Sequence, residues 1–253
     1  MPPERPDPGV ESPEPTLPDD AGRPGSPKQG EHARTGGFAL ARFELRALPR
    51  MARALPAWVM PDHLTVLGLL ASTGIAIAYM LTNRSEAWLW AVSALLVVQW
   101  YGDSLDGTLA RVRRIERPRY GYYLDHLTDA YSTLAIGLGL GFSPYMLLSV
   151  GLGISIAYLL LSINVYLETH VFAEFRLGHA LLGPTEARLL LIGLNTLAVL
   201  LTPLRFTLLG VPFTLFDVIG VAGVLGMLGI LVTRAAGNLR ELAELEPPGA
   251  RSD

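Results

Sequence analysis

From Leu64 onward the chain alternates long apolar runs with short polar breaks. Six runs, at about 64–82, 87–111, 120–142, 144–167, 186–203 and 213–233, approach the roughly 20 residues a helix needs to cross a bilayer core. Asp62, after Pro61 and three residues before Thr65, predicts an N-cap for the first helix. Pro144, Pro184 and Pro212 fall at predicted boundaries, where a missing N–H costs little. Upstream, residues 38–56 follow another period. Arg42, Arg46, Arg50 and Arg53 recur at helical spacing with Phe38, Leu45, Leu48, Met51 and Leu55 between them. This predicts a short amphipathic helix at an anionic membrane surface, kinked at Pro49; a solvated helix packed on the protein is the alternative. Residues 1–37 read as a disordered tail: nine of the 19 prolines lie in 1–31, among scattered acids and few large apolar side chains. They contain no apolar run of the kind a secretory signal needs. Residues 241–253 read as an acidic C-terminal tail.

Composition supports a membrane protein. Of 253 residues, 50% are hydrophobic and 17% charged, with mean hydropathy +0.36; soluble domains carry about 25% charged residues. The absence of cysteine excludes disulfides, thiolate zinc sites and a cysteine nucleophile. The net charge of −3 conceals an asymmetry. Residues 1–31 hold seven acids and three bases and 241–253 hold four and one, whereas 32–240 hold 12 acids and 16 bases. This balance does not suit a nucleic-acid binder. Arg34, Arg42, Arg46, Arg50 and Arg53 precede the first span, and Arg113, Arg114, Arg117 and Arg119 follow the second. The other side carries only Arg84 and Arg205, which places both termini and the 2–3 and 4–5 loops in the cytoplasm. Trp58, Trp88, Trp90 and Trp100 suit interface belts. The expected architecture is therefore an all-α integral membrane protein, with six transmembrane helices in 57–240 after an interfacial amphipathic helix. Small residues recur at Gly137 and Gly141, four apart, and at Gly220, Gly223, Gly226 and Gly229, three apart; the first spacing suits close helix packing, either inside one bundle or at a homodimer seam.

Chemistry concentrates in 101–131. Asp103 and Asp106 lie about 60° apart on the second helix, with Ala110 about 40° from Asp106. Gly121, Asp125 and Asp129 climb one face of the third. The nine residues 112–120 would let the two helices pack as an antiparallel hairpin and bring four carboxylates into one pocket near the cytoplasmic face. Like charges so close cannot all stay ionised without something positive among them. Hard divalent cations suit carboxylate oxygens, and two held about 3.5–4 Å apart can clamp a phosphoryl centre. Gly107, Gly121 and Ala110 leave room for a ligand to approach backbone. Acids at helix ends can also be solvated caps, and Arg111 can be an ordinary positive-inside anchor.

Asp103-x2-Asp106-Gly107-x2-Ala110-Arg111-x9-Gly121-x3-Asp125-x3-Asp129 resembles the motif of the CDP-alcohol phosphotransferase family. The six-helix plan and the amphipathic N-terminal helix extend the resemblance to about 38–240. It implies two divalent cations, Mg2+ or Mn2+, with Asp103 and Asp125 on both, Asp106 on the first and Asp129 on the second. It makes Asp129 the general base, and gives Gly107 and Arg111 to the CDP moiety, with Ala110 and Gly121 beside it. The family's Pro-Asn-x-x-Thr turn, which helps hold the nucleotide, is matched here by Pro61-Asp62-His63-Leu64-Thr65, with an acceptor-only carboxylate where the amide would be. The reaction implied is phospholipid synthesis with release of CMP. The pairs are CDP-diacylglycerol with a polar alcohol (glycerol phosphate, an inositol phosphate or serine), or CDP-choline or CDP-ethanolamine with diacylglycerol. One partner is a lipid in either case.

Glu168 and His170 end the fourth segment, and Glu186 and Arg188 open the fifth on the same side. They read as an acceptor pocket, or with Arg188 simply pairing with Glu186. Between the third and sixth helices only Arg176, Arg188, Arg205 and Arg234 could serve a phosphorylated acceptor, Arg205 from the wrong side, although Arg113, Arg114, Arg117 and Arg119 could contribute from the loop. His63 and His126 read as interfacial polar residues, with a metal role as the lesser alternative. An aspartate-rich prenyltransferase lacks the Gly-x2-Ala-Arg segment, and a cation transporter would place its acids at the midplane in repeated, broken helices.

Overall fold

Helices account for most of the described chain. The computed structural model describes residues 40–172, 183–201, 205–208 and 210–247. The tail 1–37, Phe38, Arg176 and the end of the acidic tail, 248–253, lie outside the described residues. The helices are α1 (Ala41–Ala54), α2 (Pro61–Leu81), α3 (Trp88–Arg113), α4 (Pro118–Gly141), α5 (Leu148–Phe172), α6 (Pro184–Leu200) and α7 (Leu215–Leu245). Each of the six apolar runs contains a helix. Pro61, Pro118 and Pro184 open α2, α4 and α6, where the ring's fixed φ suits the first turn. The last helix continues beyond 233 into the stretch read as a tail. Between the fifth and sixth runs β1 (Arg205–Leu208) and β2 (Val211–Thr214) pair antiparallel, with Phe206 stacked on Phe213, and β2 takes in residues 213–214 from the start of the sixth run. Pro144 lies in the turn before α5, and Pro212 lies inside β2.

Three helices, α2, α5 and α7, are long and apolar enough to cross a bilayer. The chain thus has the all-α, membrane-like character its composition predicts. Helix α3 is 26 residues long but carries the acids and arginines of the motif, and α6 is 17 residues long.

α2 is the spine. It packs along α3 on one side and α4 on the other, while α5 packs on α4 and α7, and α6 and α1 pack on α3. Its buried positions, Leu64, Gly68, Ala71, Ser72, Ile75, Ala78 and Tyr79, follow the helical period. The predicted α3–α4 hairpin is corrected here: the two helices flank α2 and are not among the closely packed pairs. Small residues explain why. A Cβ on Gly102 would meet Leu64 O at 2.6 Å, and one on Gly139 would meet Ala76 O at 2.8 Å, so α3 and α4 are each drawn against α2. Hydroxyl bonds tie α2 further, Ser72 Oγ to Ser132 Oγ of α4 at 2.8 Å and Tyr79 OH to Asn195 Oδ1 of α6 at 3.1 Å. Gly137 serves intramolecular packing, since a Cβ there would meet Gly151 O of α5 at 2.8 Å.

Two apolar clusters result. The larger joins Ile75, Tyr79, Leu96, Tyr145, Leu194 and Phe216; the smaller joins Leu48, Ala52, Leu64, Leu105 and Leu109. The polar stretch of α3 that includes Gln99 and Asp103 lies between them.

Candidate active site

The site opens in the space that α2 keeps between α3 and α4. α3 contributes Asp103, Asp106, Gly107, Ala110 and Arg111, and α4 contributes Gly121, Asp125, His126 and Asp129. Asp103 and Asp129 come within hydrogen-bonding reach across that space, and all four carboxylates lie near enough to act on one another electrostatically. The convergence expected from spacing therefore occurs, without direct packing of the two helices. Asp125 is the most open, its side chain half exposed, against 21% for Asp103.

Each acid has a defined neighbour. Thr65 Oγ1 donates to Asp106 Oδ2 at 2.7 Å, tying the start of α2 to the motif. Arg188 of α6 donates through Nη2 to Asp103 Oδ2 at 2.5 Å and through Nε to Gln99 Oε1 at 2.5 Å. His126 Nδ1 lies 3.3 Å from Asp125 Oδ2. Its ring is held edge-on by Tyr122 at 4.1 Å and stacked on Tyr166 at 4.9 Å, and its buried Nε2 has no hydrogen-bond partner among the described residues. Asp125, His126 and Asp129 each offer a ligand atom, all within 4.8 Å of one another. Hard carboxylate oxygens with one imidazole nitrogen form a donor set compatible with Mg2+ or Mn2+. His126, expected chiefly as an interfacial polar residue with a metal role as the lesser alternative, stands with Asp125 and Asp129, and its place directly after Asp125 is the signal for it.

The ligand-facing small residues behave differently from one another. A Cβ at Gly121 would meet nothing within 4 Å, whereas one at Gly107 would touch Arg111 Nη1 at 3.4 Å. Arg111 thus lies over Gly107, with Nη2 donating to Thr108 Oγ1 at 3.2 Å.

Three expectations are corrected. Asp62 is not the N-cap of α2, because Met60 occupies that position and Asp62 lies in the first turn. Its carboxylate accepts from Arg117 Nη2 at 2.5 and 2.7 Å, and the Arg117 guanidinium in turn stacks on Tyr120. Arg188 does not pair with Glu186, whose oxygens accept the backbone N–H groups of Leu40 and Gly183, each at 3.1 Å. Glu168 does not join them either. It is buried between α5 and α7, accepting from Asn164, Arg234 and Asn238, and His170 is exposed.

Two further side chains support the site from outside the motif's fixed residues. Arg113, expected as a topogenic charge or a loop contribution to an acceptor pocket, donates to the carbonyls of Leu55, Pro56, Ala57 and Val59 and so clasps the α1–α2 linker. Glu44 of α1 accepts from Trp100 Nε1 at 2.9 Å and Thr185 Oγ1 at 2.6 Å, which binds α1 to α3 and α6.

Residues 58–234 match the family described as CDP-alcohol phosphatidyltransferase. A relative from Cereibacter sphaeroides, a CDP-diacylglycerol–glycerol-3-phosphate 3-phosphatidyltransferase, is 34% identical over 99 residues. That stretch is 38% of this chain and 44% of the relative, so the match spans less than half of the relative's length.

Proposed function

The chain belongs to the CDP-alcohol phosphatidyltransferase family, and from that premise we propose that it moves a substituted phosphate from a CDP-alcohol to an acceptor hydroxyl in phospholipid synthesis, releasing CMP. The observation that carries the reading is the meeting of Asp103, Asp106, Asp125 and Asp129 across the α3–α4 space, beside Gly107 and Arg111.

The four carboxylates would hold two divalent cations, Asp103 and Asp125 contacting both, Asp106 one and Asp129 the other. Bound there, such ions would neutralise the diphosphate and the departing CMP. Arg111, always charged and lying over Gly107, would hold the CDP phosphates, with Ala110 and Gly121 leaving space for the nucleotide. Thr65 would fix Asp106. Asp62, engaged by Arg117, would contribute to nucleotide binding only through the loop it ties down. The acceptor oxygen bonds to the phosphorus distal to cytidine as the bridging P–O bond breaks. CMP takes the electron pair, and the acceptor proton passes to a carboxylate oxygen of Asp129. Tyr158 and Tyr166 of α5 are close enough to sense the Asp129 charge, and they would line the acceptor side. Of Glu168, His170, Glu186 and Arg188, Arg188 is the one bonded to the acid cluster, so the acceptor pocket is proposed around it and Asp129.

The relative's name supports CDP-diacylglycerol and a polar alcohol as the first pair to assay, ahead of a CDP-aminoalcohol with diacylglycerol. We also place the chain in the membrane with six spans, both termini and the site towards the cytoplasm. α1 would lie at the surface: Leu48 and Ala52 are buried on the protein, while Phe43, Leu45 and nearby Trp58 and Met60 are exposed beside Arg46, Arg50 and Arg53. Purified protein in lipid should release CMP only with CDP-alcohol, acceptor and Mg2+ or Mn2+ together. Asp129→Asn should lower turnover by at least about a hundredfold, the usual scale for a lost general base; full turnover would end the base assignment.

A further inference from the structure

We propose that Arg188 is a built-in counter-ion that competes with a divalent cation for Asp103 and thereby sets the cation affinity of the site. The inference rests on the cation-site reading above and adds a residue that tunes it. Gln99 and Asp103 stand four residues apart on α3 and so share a face. Their two oxygens take Nε and Nη2 of one planar guanidinium, each at 2.5 Å. The contact is sheltered: the Arg188 side chain is 11% exposed, and Gln99 is buried. Screening by salt, which dissolves surface pairs, acts weakly there. Glu186, the nearest acid in sequence, is turned to backbone N–H groups, so the Arg188 charge is directed to α3.

The consequence follows from charge. Among the described residues, the hydrogen-bond donors recorded for Asp106 are the Thr65 hydroxyl and the Gly107 N–H, and Asp125 faces His126. Arg188 supplies a permanent positive charge directly on one of the four acids. A cation on Asp103 would lie a few ångströms from the guanidinium, repelled by it and sharing its carboxylate. Replacing Arg188 by a neutral residue removes the competitor and leaves the cluster more negative, so cation binding should tighten. A residue that merely oriented Asp103 would give the opposite sign, because losing a hydrogen bond to a metal ligand weakens affinity about 10–100-fold.

The test is Mn2+ binding by calorimetry, together with thermal unfolding in EDTA and in Mn2+, on the full chain carrying Arg188→Gln or Arg188→Lys. Arg188→Gln should bind Mn2+ about tenfold tighter. It should also unfold at lower temperature in EDTA, with the deficit closing as Mn2+ is added. Arg188→Lys keeps the charge without the fork to Gln99 and should stay within about threefold of wild type. Unchanged or weaker Mn2+ binding by Arg188→Gln overturns the proposal. If that variant does not fold, Arg188→Lys decides: affinity within threefold supports it, and a larger loss overturns it. Wild type that binds no Mn2+ would sink the cation-site reading and this one together, whereas wild-type binding with an unaltered Gln variant sinks this inference alone.

Discussion

The Thr65 hydroxyl donates to Asp106 Oδ2 while the Gly107 N–H donates to Oδ1, and together the two bonds hold the orientation of that carboxylate. Valine is nearly the same shape but cannot donate. Thr65→Val should therefore leave thermal unfolding almost unchanged and weaken Mn2+ binding about tenfold, the lower end of what outer hydrogen bonds to metal ligands supply. Calorimetry on the purified variant checks this, and unaltered affinity would remove Thr65 from the site. The neighbouring Asp62 shows how one side chain can be diverted. Its carboxylate could have capped α2, but Arg117 offers two short hydrogen bonds and takes it. His126 makes the converse point, since a residue read chiefly as interfacial stands instead with two acids and two tyrosine rings.

Among the elements, glycine placement decides which helices touch. Gly137 and Gly151 bring α4 and α5 into contact, whereas a Cβ at Gly226 of α7 would meet nothing within 4 Å. The same substitution should act oppositely at the two positions. Gly137→Ala should overpack the α4–α5 crossing and cost about 1–3 kcal/mol. Gly226→Ala should be neutral or stabilise by up to about 1 kcal/mol through helix propensity. Thermal unfolding in detergent distinguishes them; equal effects would mean that α4 and α5 do not cross there. Helix α1 is held more by polar ties than its amphipathic pattern suggests. Glu44 reaches Trp100 and Thr185, and Glu186 takes the N–H of Leu40. Each of these joins α1, or the residue preceding it, to a helix that carries site residues.

For the whole molecule, the arginine bias predicts an orientation that the absence of cysteine makes easy to test. Arg84 and Glu116 are exposed at opposite ends of α3. With an impermeant maleimide on intact cells, Arg84→Cys should label directly and Glu116→Cys only after permeabilisation; the reverse pattern would invert the topology. Loop charge and apolar length are properties of composition along the chain, which is why they can be read before any fold is known. The six helical segments, the 27-residue motif and the convergence of its acids were legible for the same reason. A backbone in lipid must satisfy its own hydrogen bonds, so long apolar runs become helices, and helical spacing then sets which side chains share a face. What lay beyond the sequence was the pairing of distant groups. Arg188 meets Asp103 across 85 positions, and Arg113 meets carbonyls more than 50 residues away. No local period encodes such contacts. They depend on how closely α3 and α4 approach α2, and Gly102 and Gly139 set that distance only once the helices are assembled. The sequence determined which residues form the acid cluster; tertiary packing decided that it lies across an open space, with a guanidinium already on one of its acids.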